Sequence, residues 1–401
     1  MNPILSEWLG LAIRWIHVIT GIAWIGASFY FNWLLNHLIA AREGEEKGEE
    51  RVVGELWAVH AGGFFKVQKR TLPPGQLPDP LHWFKWEAYW TWISGFALLV
   101  LVYYAGASAY LIDPAVADIR PATAIAIGIG SLVGSWFVYD GLWRSPLAHN
   151  RALCSAISCL LLVGLAWGLS RVFSGRGAYI HVGAVLGTLM VGNVHRVIMP
   201  AQRQLVAATQ SGAEQDRALT RQAELRSLHN NYLTLPVLFV MISNHYPMTY
   251  GYRWNWVVLL VLFAVGAAVR HYFNVRHRRG NLASAWLLVL PAAVVALLAW
   301  FTAPAALAPD AAARKVSFAR VQAVIDRRCV TCHSAHPTSP LFTSPPKDVM
   351  FDTASQIAAR AAQIRTQVVV TRAMPLGNLT HMTREERELV ARWIDQGGGT
   401  H

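Results

Sequence analysis

Long apolar runs separated by polar segments dominate the chain up to residue 301. A helix needs about 20 apolar residues to cross a bilayer, and these runs are of about that length. We therefore predict eight transmembrane helices, at residues 9–35, 87–109, 121–143, 151–172, 178–200, 230–246, 254–273 and 281–301. The expected fold class is all-α, with a polytopic membrane domain over residues 1–301.

The pattern changes after residue 301. An Ala/Pro-rich segment at 302–316 has the composition of a semi-rigid linker. Apolar residues then recur at helical spacing at Phe318, Val321 and Ile325, and again at Leu389, Trp393 and Ile394. Thr383 and Glu386 form a capping-box pattern ahead of the second of these runs. We therefore predict a small helical domain over residues 317–401.

Composition and charge agree with a membrane protein. Hydrophobic residues make up 54% of the chain and charged residues only 14%, well below the average charged fraction of soluble domains. Arginine and lysine are concentrated in alternate loops between the predicted helices, which the positive-inside rule assigns to the cytoplasmic face. This bias accounts for the net charge of +12 without a nucleic-acid partner.

Cys329, Cys332 and His333 form a C-x-x-C-H motif, the pattern that attaches a c-type haem covalently. The two cysteines would form thioethers, and the histidine would ligate the iron. An isolated redox or zinc-binding C-x-x-C is the alternative, but a zinc site needs a second pair of ligands, and no cysteine follows in the sequence. We expect haem c on residues 317–401, a segment that resembles a small class-I cytochrome c.

A methionine or histidine usually ligates such a haem from the opposite side. Three methionines follow the motif, at Met350, Met374 and Met382. We favour Met374, because a neighbouring proline and glycine indicate a rigid loop around it. Met382 directly precedes a predicted helix and is more typical of a packing residue. His333 and Met374 are thus the predicted iron ligands.

The motif also predicts the orientation of the chain. Because haem is attached to such motifs outside the cytoplasm, residues beyond 301 should be periplasmic. Eight crossings then place the N-terminus in the periplasm too, and the distribution of arginine and lysine gives the same orientation. We therefore expect a multi-pass protein of the bacterial inner membrane, with the lipid bilayer as a partner.

Several of the 15 histidines lie within or at the ends of predicted crossings. An ionisable side chain in hydrocarbon is costly, so each of these is a candidate functional residue. His17, His181 and His245 fall at the outer depth, nearest to the predicted cytochrome. We expect them to ligate one or two haem b groups, with His17 and His181 as the first choice. The alternative is that these histidines only form hydrogen bonds between helices.

Several stretches of the predicted membrane domain are similar to one known family. They lie at residues 60–66, 81–89, 134–140, 192–196 and 229–236. Together with the eight predicted helices and the C-terminal cytochrome c, they resemble the PuuD-type membrane-bound urate oxidases (urate hydroxylases) of bacteria over essentially the whole chain. The resemblance implies a role in purine catabolism, the oxidation of urate to 5-hydroxyisourate. Electrons would leave through haem c to a soluble cytochrome c or a terminal oxidase rather than to oxygen.

Urate is a planar anion, and a site for it calls for cationic or N–H donors, an aromatic face and a base. The predicted inner face supplies these residue types, partly on a long connection at residues 36–86, and long loops are often functional. The candidate catalytic residues are His60, Lys66, Gln68, His82, Lys85, Glu87, Asp140, His195, Arg196, His229 and Asn230. Several of these charges are equally typical of the positive-inside bias.

A urate site at the inner face would be separated from haem c by the hydrocarbon core of about 30 Å. We therefore expect haem b to relay electrons across the bundle, whereas a site at the outer face would need no relay. Two other functions are compatible with the same motifs. One is a quinol-oxidising membrane cytochrome, and the other is a non-catalytic electron-transfer subunit.

Overall fold

The computed structural model describes residues 3–39, 51–214, 216–279, 284–303 and 315–400, and in these ranges the chain is mostly helical. The first group of helices is α1 (Pro3–His37), α2 (Trp86–Leu98), α3 (Pro121–Arg144), α4 (Arg151–Ser170), α5 (Gly175–Asn193), α6 (Met199–Ser211), α7 (Arg217–Ser243), α8 (Pro247–Tyr250), α9 (Asn255–Arg279) and α10 (Trp286–Thr302). The second group is α11 (Phe318–Arg328), α12 (Ala354–Ala359), α13 (Ala361–Ile364) and α14 (Arg384–Asp395).

Within the described ranges, five helices are long and apolar enough to cross a membrane. They are Ile4–His37, Pro121–Arg144, Arg151–Ser170, Gly175–Ser211 and Asn255–Arg276. α10 is also apolar but shorter, and the predicted run at 281–301 begins outside the described residues. These helices are compatible with a protein of the membrane.

α7 begins well before the predicted run at 230–246. The side chain of Asp216 caps its first turn by accepting from the backbone N–H groups of Ala218 and Leu219 (2.8 and 3.3 Å). The helix therefore extends by more than three turns on the polar side of that run. This extension carries charged residues that sequence analysis assigned to a loop.

Two of the predicted runs continue from regular α-helix into wider π-helical turns. α2 is followed by such turns at Leu99–Tyr104 and Ala107–Leu111, and α5 joins α6 through another at Val194–Ile198. Turns of this type are frequent at functional sites. The turn between α5 and α6 contains two of the candidate residues, His195 and Arg196.

The expectation of an all-α fold is wrong in the connection after α1. Strands β1 (Arg51–His60) and β2 (Gly63–Thr71) form an antiparallel hairpin there. Ala61 and Gly62 make the two-residue turn, and both have positive φ, 48° and 78°. Positive φ at both turn residues matches the twist of the two strands and so favours a tight hairpin.

The core of the first group of helices is centred on α5, whose residues are mostly buried. α5 contacts α2, α3, α4 and α7. A side chain at Gly183 would overlap Val240 on α7, and one at Gly192 would overlap Trp136 on α3. Small residues allow this close approach of helices, as is usual in membrane bundles. α5 therefore fixes the spacing of α3 and α7, which carry the polar residues described below.

Apolar residues between 316 and 394 form a second, separate buried cluster. α11 packs against α14, with the rings of Phe318 and Trp393 5.8 Å apart. The predicted capping box of α14 is confirmed. Thr383 Oγ1 accepts from the backbone N–H of Glu386 (3.2 Å), and the Glu386 carboxylate accepts from that of Thr383 (2.8 Å). Most of the predicted linker, residues 304–314, lies outside the described residues.

The two groups of helices meet at the segment that follows α2 and at the end of α8. Gly377 lies against the backbone carbonyls of Ala109 and Ile112, and Gly251 lies against that of Thr371. A side chain at either glycine would overlap these carbonyl groups. Glycine is therefore required for the two backbones to approach this closely.

Candidate functional site

The C-x-x-C-H motif lies in a tight turn directly after α11. The backbone N–H groups of Cys332 and His333 both donate to the carbonyl of Cys329 (3.1 and 2.9 Å). His333 Nδ1 lies 3.0 Å from the carbonyl oxygen of Val349. Since a carbonyl only accepts, Nδ1 carries the proton, and Nε2 is left with a lone pair for a metal.

The surroundings of the motif fit a covalently held haem. Cys329 and Cys332 are free thiols, and burial raises the pKa of Cys329 to about 12. Burial also lowers the pKa of His333, and the neutral imidazole that this favours is the form that ligates a metal. Cys329, Val330 and Met374 border the second buried cluster, which supplies an apolar wall.

The three methionines after the motif differ in burial. Met382 is 4% exposed and belongs to the buried cluster, whereas Met350 and Met374 are half-buried. Arg387 holds the loop around Met374, because its guanidinium donates to the carbonyls of Val368 (2.6 Å) and Met374 (2.7 Å). Met382 therefore packs in the core, and Met374 stays the predicted iron ligand.

A buried arginine organises polar residues where α3, α5 and α7 meet. The Arg226 side chain is fully buried, and its guanidinium donates to Asp140 Oδ1 (2.8 Å) and Asn193 Oδ1 (3.3 Å). The same guanidinium lies over the ring of Tyr139, 4.7 Å from its centroid. Arg144 binds the other carboxylate oxygen of Asp140 from a more exposed position (2.7 Å). We call these residues, together with His229 and Asn230, the Arg226 network.

The network extends to an imidazole. The Tyr139 hydroxyl accepts from Asn193 Nδ2 (3.0 Å) and lies 2.8 Å from His229 Nδ1. Asn193 Nδ2 also donates to Asn230 Oδ1 (2.9 Å). The Tyr139 hydroxyl donates to His229 Nδ1 or accepts from it according to the tautomer of the imidazole. A continuous hydrogen-bonded chain of this kind can take up or pass on a proton.

These helices fall within a region that a family model matches. The family is described as Urate oxidase N-terminal, and the match covers residues 3–303. The chain belongs to the urate oxidase N-terminal family. No curated protein and no solved structure gives a match to it. The matched region contains every candidate catalytic residue and ends before the C-x-x-C-H motif.

In this urate oxidase family member, three of the candidate catalytic residues, Asp140, His229 and Asn230, come together in the Arg226 network. His195 is exposed, and its Nδ1 lies 3.1 Å from the Tyr89 hydroxyl. The neighbouring Arg196 is exposed as well. Five of the candidates thus fall into a buried network and an exposed pair.

The candidates on the hairpin contact residues of the hairpin itself. Lys66 pairs with Glu55 (2.8 Å), and Gln68 donates to the same carboxylate (3.1 Å). His60 is exposed at the end of β1. These contacts do not join the hairpin to the Arg226 network.

The candidates just before and within α2 form a further group. His82 is exposed and packs against Phe84, with 4.6 Å between ring centroids. The Lys85 ammonium lies 5.5 Å from the ring centroid of Trp86. Glu87 Oε2 is buried and has no hydrogen-bond partner in the described ranges. This group therefore consists of aromatic rings at the start of α2 and one buried carboxylate oxygen without a partner.

The candidate haem b ligands lie in different surroundings. His17 on α1 faces α2, with Nδ1 3.0 Å from the Thr91 carbonyl oxygen and 3.1 Å from Ser94 Oγ. His245 is exposed beyond the end of α7. The partners of His17 are thus residues of α2, and neither His181 nor His245 is among them.

The surroundings of His181 on α5 do not suit a residue that ligates haem b. Its side chain is fully buried, Nδ1 lies 2.9 Å from the Gly177 carbonyl oxygen, and Nε2 lies 3.2 Å from the Tyr104 hydroxyl. A side chain at Gly128 would lie 2.6 Å from the same Nε2. Both ring nitrogens therefore have partners, and packing is close around them. These contacts favour the alternative of hydrogen bonding between helices.

Sequence analysis missed the centre of the network. Arg226 lies in one of the segments that the sequence analysis treated as a loop between predicted helices, but it is buried within α7. Tyr139 and Asn193 were not among the candidates at all. One signal was available, since Arg226, His229 and Asn230 recur at the spacing that places residues on one helix face.

Proposed function

We propose that the protein is a membrane-bound urate oxidase of the PuuD type, which converts urate to 5-hydroxyisourate. The observation that carries this proposal is the family match over residues 3–303, followed in the same chain by a C-x-x-C-H motif. Oxidation of urate with addition of one water releases two electrons and two protons. An acceptor other than oxygen must take both electrons if no peroxide is formed.

Haem c on Cys329, Cys332, His333 and Met374 is the proposed electron exit. Once bound, this group would supply an acceptor that takes one electron at a time, and a soluble cytochrome c or a terminal oxidase would remove the electrons. The contact from His333 Nδ1 to Val349 orients the imidazole. Arg387 holds the loop that carries the methionine.

The proposed topology has eight crossings of the bacterial inner membrane, with the N-terminus and residues 317–401 in the periplasm. The hydropathy of the long helices and the bias of arginine and lysine support it. So does the contact of Gly377 with the segment after α2, which would then lie at the outer face. Asp140 and Arg144 lie at the opposite end of the next helix, α3.

The Arg226 network is the proposed proton-accepting region of the reaction. His229 offers an imidazole in contact with the Tyr139 hydroxyl, and Asn193 and Asn230 fix the geometry of that pair. Two protons leave urate and water in the reaction, so a base connected to further hydrogen-bonding groups is what the chemistry requires.

Anaerobic addition of urate to the purified holoprotein, followed by haem absorbance, tests the proposal. We expect prompt reduction of a c-type band and formation of 5-hydroxyisourate without peroxide. Reduction by quinol but not by urate would indicate a quinol-oxidising cytochrome instead. Reduction by neither would indicate an electron-transfer subunit. A reduced spectrum with only the c-type band would exclude a haem b relay.

A further inference from the structure

A cleft of ≈190 Å³ opens between α1, α7 and α9, and no member of the Arg226 network lines it. Its volume is that of about six water molecules at ~30 Å³ each. Three aromatic side chains, Phe29, Trp33 and Phe273, form part of its wall. Most of the accessible lining is apolar, and its polar groups come from arginine and asparagine side chains.

The central polar residue of the cleft is Arg270. It is only 5% exposed, and its guanidinium lies 4.1 Å from the ring centroid of Phe29. Its Nε donates to Asn231 Oδ1 (3.1 Å). In the part of the chain that the structure describes, this contact of Nε is the one hydrogen bond of the Arg270 side chain, and no carboxylate pairs with it. A buried guanidinium without a counter-charge is costly, so an anion is the expected complement.

Two asparagines next to Arg270 have unused hydrogen-bonding capacity. Asn231 Oδ1 accepts from both Arg270 Nε and Asn274 Nδ2 (2.8 Å), which fixes the positions of the two side chains. The side-chain oxygen of Asn274, Oδ1, has no hydrogen-bond partner within the described ranges. Asn231 Nδ2 is buried and donates to nothing there. Arg270 and Asn274 both line the cleft, so a ligand there can reach the guanidinium and the side-chain oxygen of Asn274, whereas the Asn231 amide lies behind them.

We propose that this cleft binds a flat, delocalised anion with alternating N–H and C=O groups, the chemical class to which urate belongs. The inference rests on the proposed function for the choice of urate itself, and it makes the Arg226 network a hydrogen-bonded route for protons rather than a base in contact with the ring. The guanidinium fork of Arg270 would take a carbonyl–enolate edge in bidentate fashion, and Asn274 would accept from a ring N–H. The aromatic wall distinguishes a flat ring from a tetrahedral phosphate, which has no face to stack.

Binding to the purified, detergent-solubilised holoprotein tests the site separately from turnover. The dissociation constant is measured calorimetrically and anaerobically for urate, for xanthine as a second flat purine, and for inorganic phosphate. We expect Arg270→Gln to weaken urate and xanthine binding about 10- to 100-fold, since a hydrogen bond to a charged group contributes ~1.5–3 kcal/mol. Phosphate should bind neither the wild type nor Arg270→Gln at the concentrations at which the purines bind.

Arg253→Gln is the matched control. It removes the same charge just before the opposite end of α9, where Arg253 is exposed. This control should bind both purines like the wild type. Arg270→Lys keeps the charge but loses the fork, so it should recover only part of the affinity. In turnover, Arg270→Gln should raise KM more than it lowers kcat. The haem spectrum should stay unchanged, and Tm should be equal or higher because an uncompensated buried charge is removed.

The outcomes separate the site from the function. If the wild type oxidises urate and Arg270→Gln binds it equally well, the site inference fails and the proposed function stands. If urate reduces no haem but xanthine binds in an Arg270-dependent way, the function fails and the site stands. Binding of neither purine would overturn the site. Phosphate binding lost together with purine binding in Arg270→Gln would also overturn it, in favour of a general anion or lipid-headgroup site.

Discussion

Asp140 binds two arginines with one carboxylate, and burial predicts that the two pairs differ in energy. Arg226 is fully buried, whereas 47% of the Arg144 side chain is exposed. Asp140→Asn would leave the buried guanidinium without a counter-charge, so we expect a loss of ~3–5 kcal/mol in unfolding free energy. Arg144→Gln removes only the exposed pair and should cost about 0–1 kcal/mol. Thermal unfolding of both variants in the same detergent measures the difference.

An equal loss of stability in the two variants would contradict this assignment of the buried pair. It would mean that water reaches Arg226 in solution. The double variant Asp140→Asn with Arg226→Met serves as a further control, because it removes both charges and should recover part of the lost stability.

Two methionines of the C-terminal region have different proposed roles: Met374 as an iron ligand and Met382 as a packing residue. Met374→Ala should leave the holoprotein folded but change the haem spectrum toward high spin or lower its potential, because the proposed sixth ligand is lost. Met382→Ala removes a side chain of the buried cluster and should cost ~2–5 kcal/mol with an unchanged spectrum. Visible spectra and thermal unfolding of each variant distinguish the two roles. A spectral change in Met382→Ala alone would transfer the ligand role to that residue.

Single residues show where sequence reasoning reaches its limit. Asp140, His229 and Asn230 were predictable because their chemistry is unusual inside a predicted membrane domain. Their connection through Tyr139 and Arg226 was not, because it depends on how α3 and α7 pack against α5. The same applies to Arg270, whose charge also fits the positive-inside bias. Only its burial next to an aromatic ring marks it as a candidate ligand-binding residue.

At the scale of elements, the helices were easier to predict than the hairpin. Apolar periodicity over some 20 residues is a strong signal, whereas each strand spans about ten residues and mixes charged and apolar side chains. The two-residue turn at Ala61 and Gly62, flanked by valines and aromatics, was the available signal. It was overlooked because the connection was interpreted as an irregular loop.

Gly62 should be the residue on which the hairpin turn depends most. It has a φ of 78°, and no atom lies within 4 Å of the position that a Cβ would take, so any penalty for a side chain is in the backbone alone. Gly62→Val should therefore destabilise the hairpin by about 1–2 kcal/mol. Gly62→Asn should be tolerated, because asparagine adopts this conformation more readily.

Limited proteolysis between β1 and β2 measures the effect, with Gly62→Asn as the matched control. Cleavage should become faster only in the valine variant. If its urate turnover also falls while the asparagine variant stays active, the hairpin residues His60, Lys66 and Gln68 contribute to activity. Unchanged proteolysis in Gly62→Val would show that the strands hold the turn without help from glycine.

At the scale of the whole molecule, the pKa of Asp113 depends on a charge from the other group of helices, that of Arg387. Burial raises the pKa of Asp113, although the Ala115 N–H and the charge of Arg387 act in the opposite direction. The folded protein thus holds this proton more tightly than the unfolded chain does. The contribution of Asp113 to the free energy of unfolding is therefore greatest below the ordinary pKa of an aspartate. It is lost as pH rises through the raised pKa of Asp113 in the folded protein.

Asp113→Asn should remove this pH dependence, because the amide oxygen can still accept from Ala115 and cannot ionise. We expect the variant to be at least as stable as the wild type near neutral pH and to gain relative to it as pH rises from about 4. Thermal unfolding of both proteins over this range gives the difference. A variant that loses stability relative to the wild type as pH rises would show that attraction to Arg387 outweighs burial.

The junction also gives a test of how the proposed haem c would receive electrons. Gly377 follows the Met374 loop and lies against the carbonyls of Ala109 and Ile112, where a side chain would overlap them. Gly377→Ala should therefore displace the C-terminal region from the helix bundle and slow urate-driven haem reduction about tenfold or more, since small displacements at such junctions are costly. The static haem spectrum should not change, because the iron ligands are untouched.

Gly397→Ala is the control for backbone strain in this experiment. Gly397 also has positive φ, 102°, but nothing lies within 4 Å of its Cβ position. A stopped-flow comparison of haem reduction in the two variants separates strain within the C-terminal region from loss of the junction. If both variants slow equally, strain accounts for the effect. If neither variant slows, the junction at Gly377 and Gly251 does not set the rate of electron transfer. The C-terminal region would then accept electrons in a different position relative to the helix bundle.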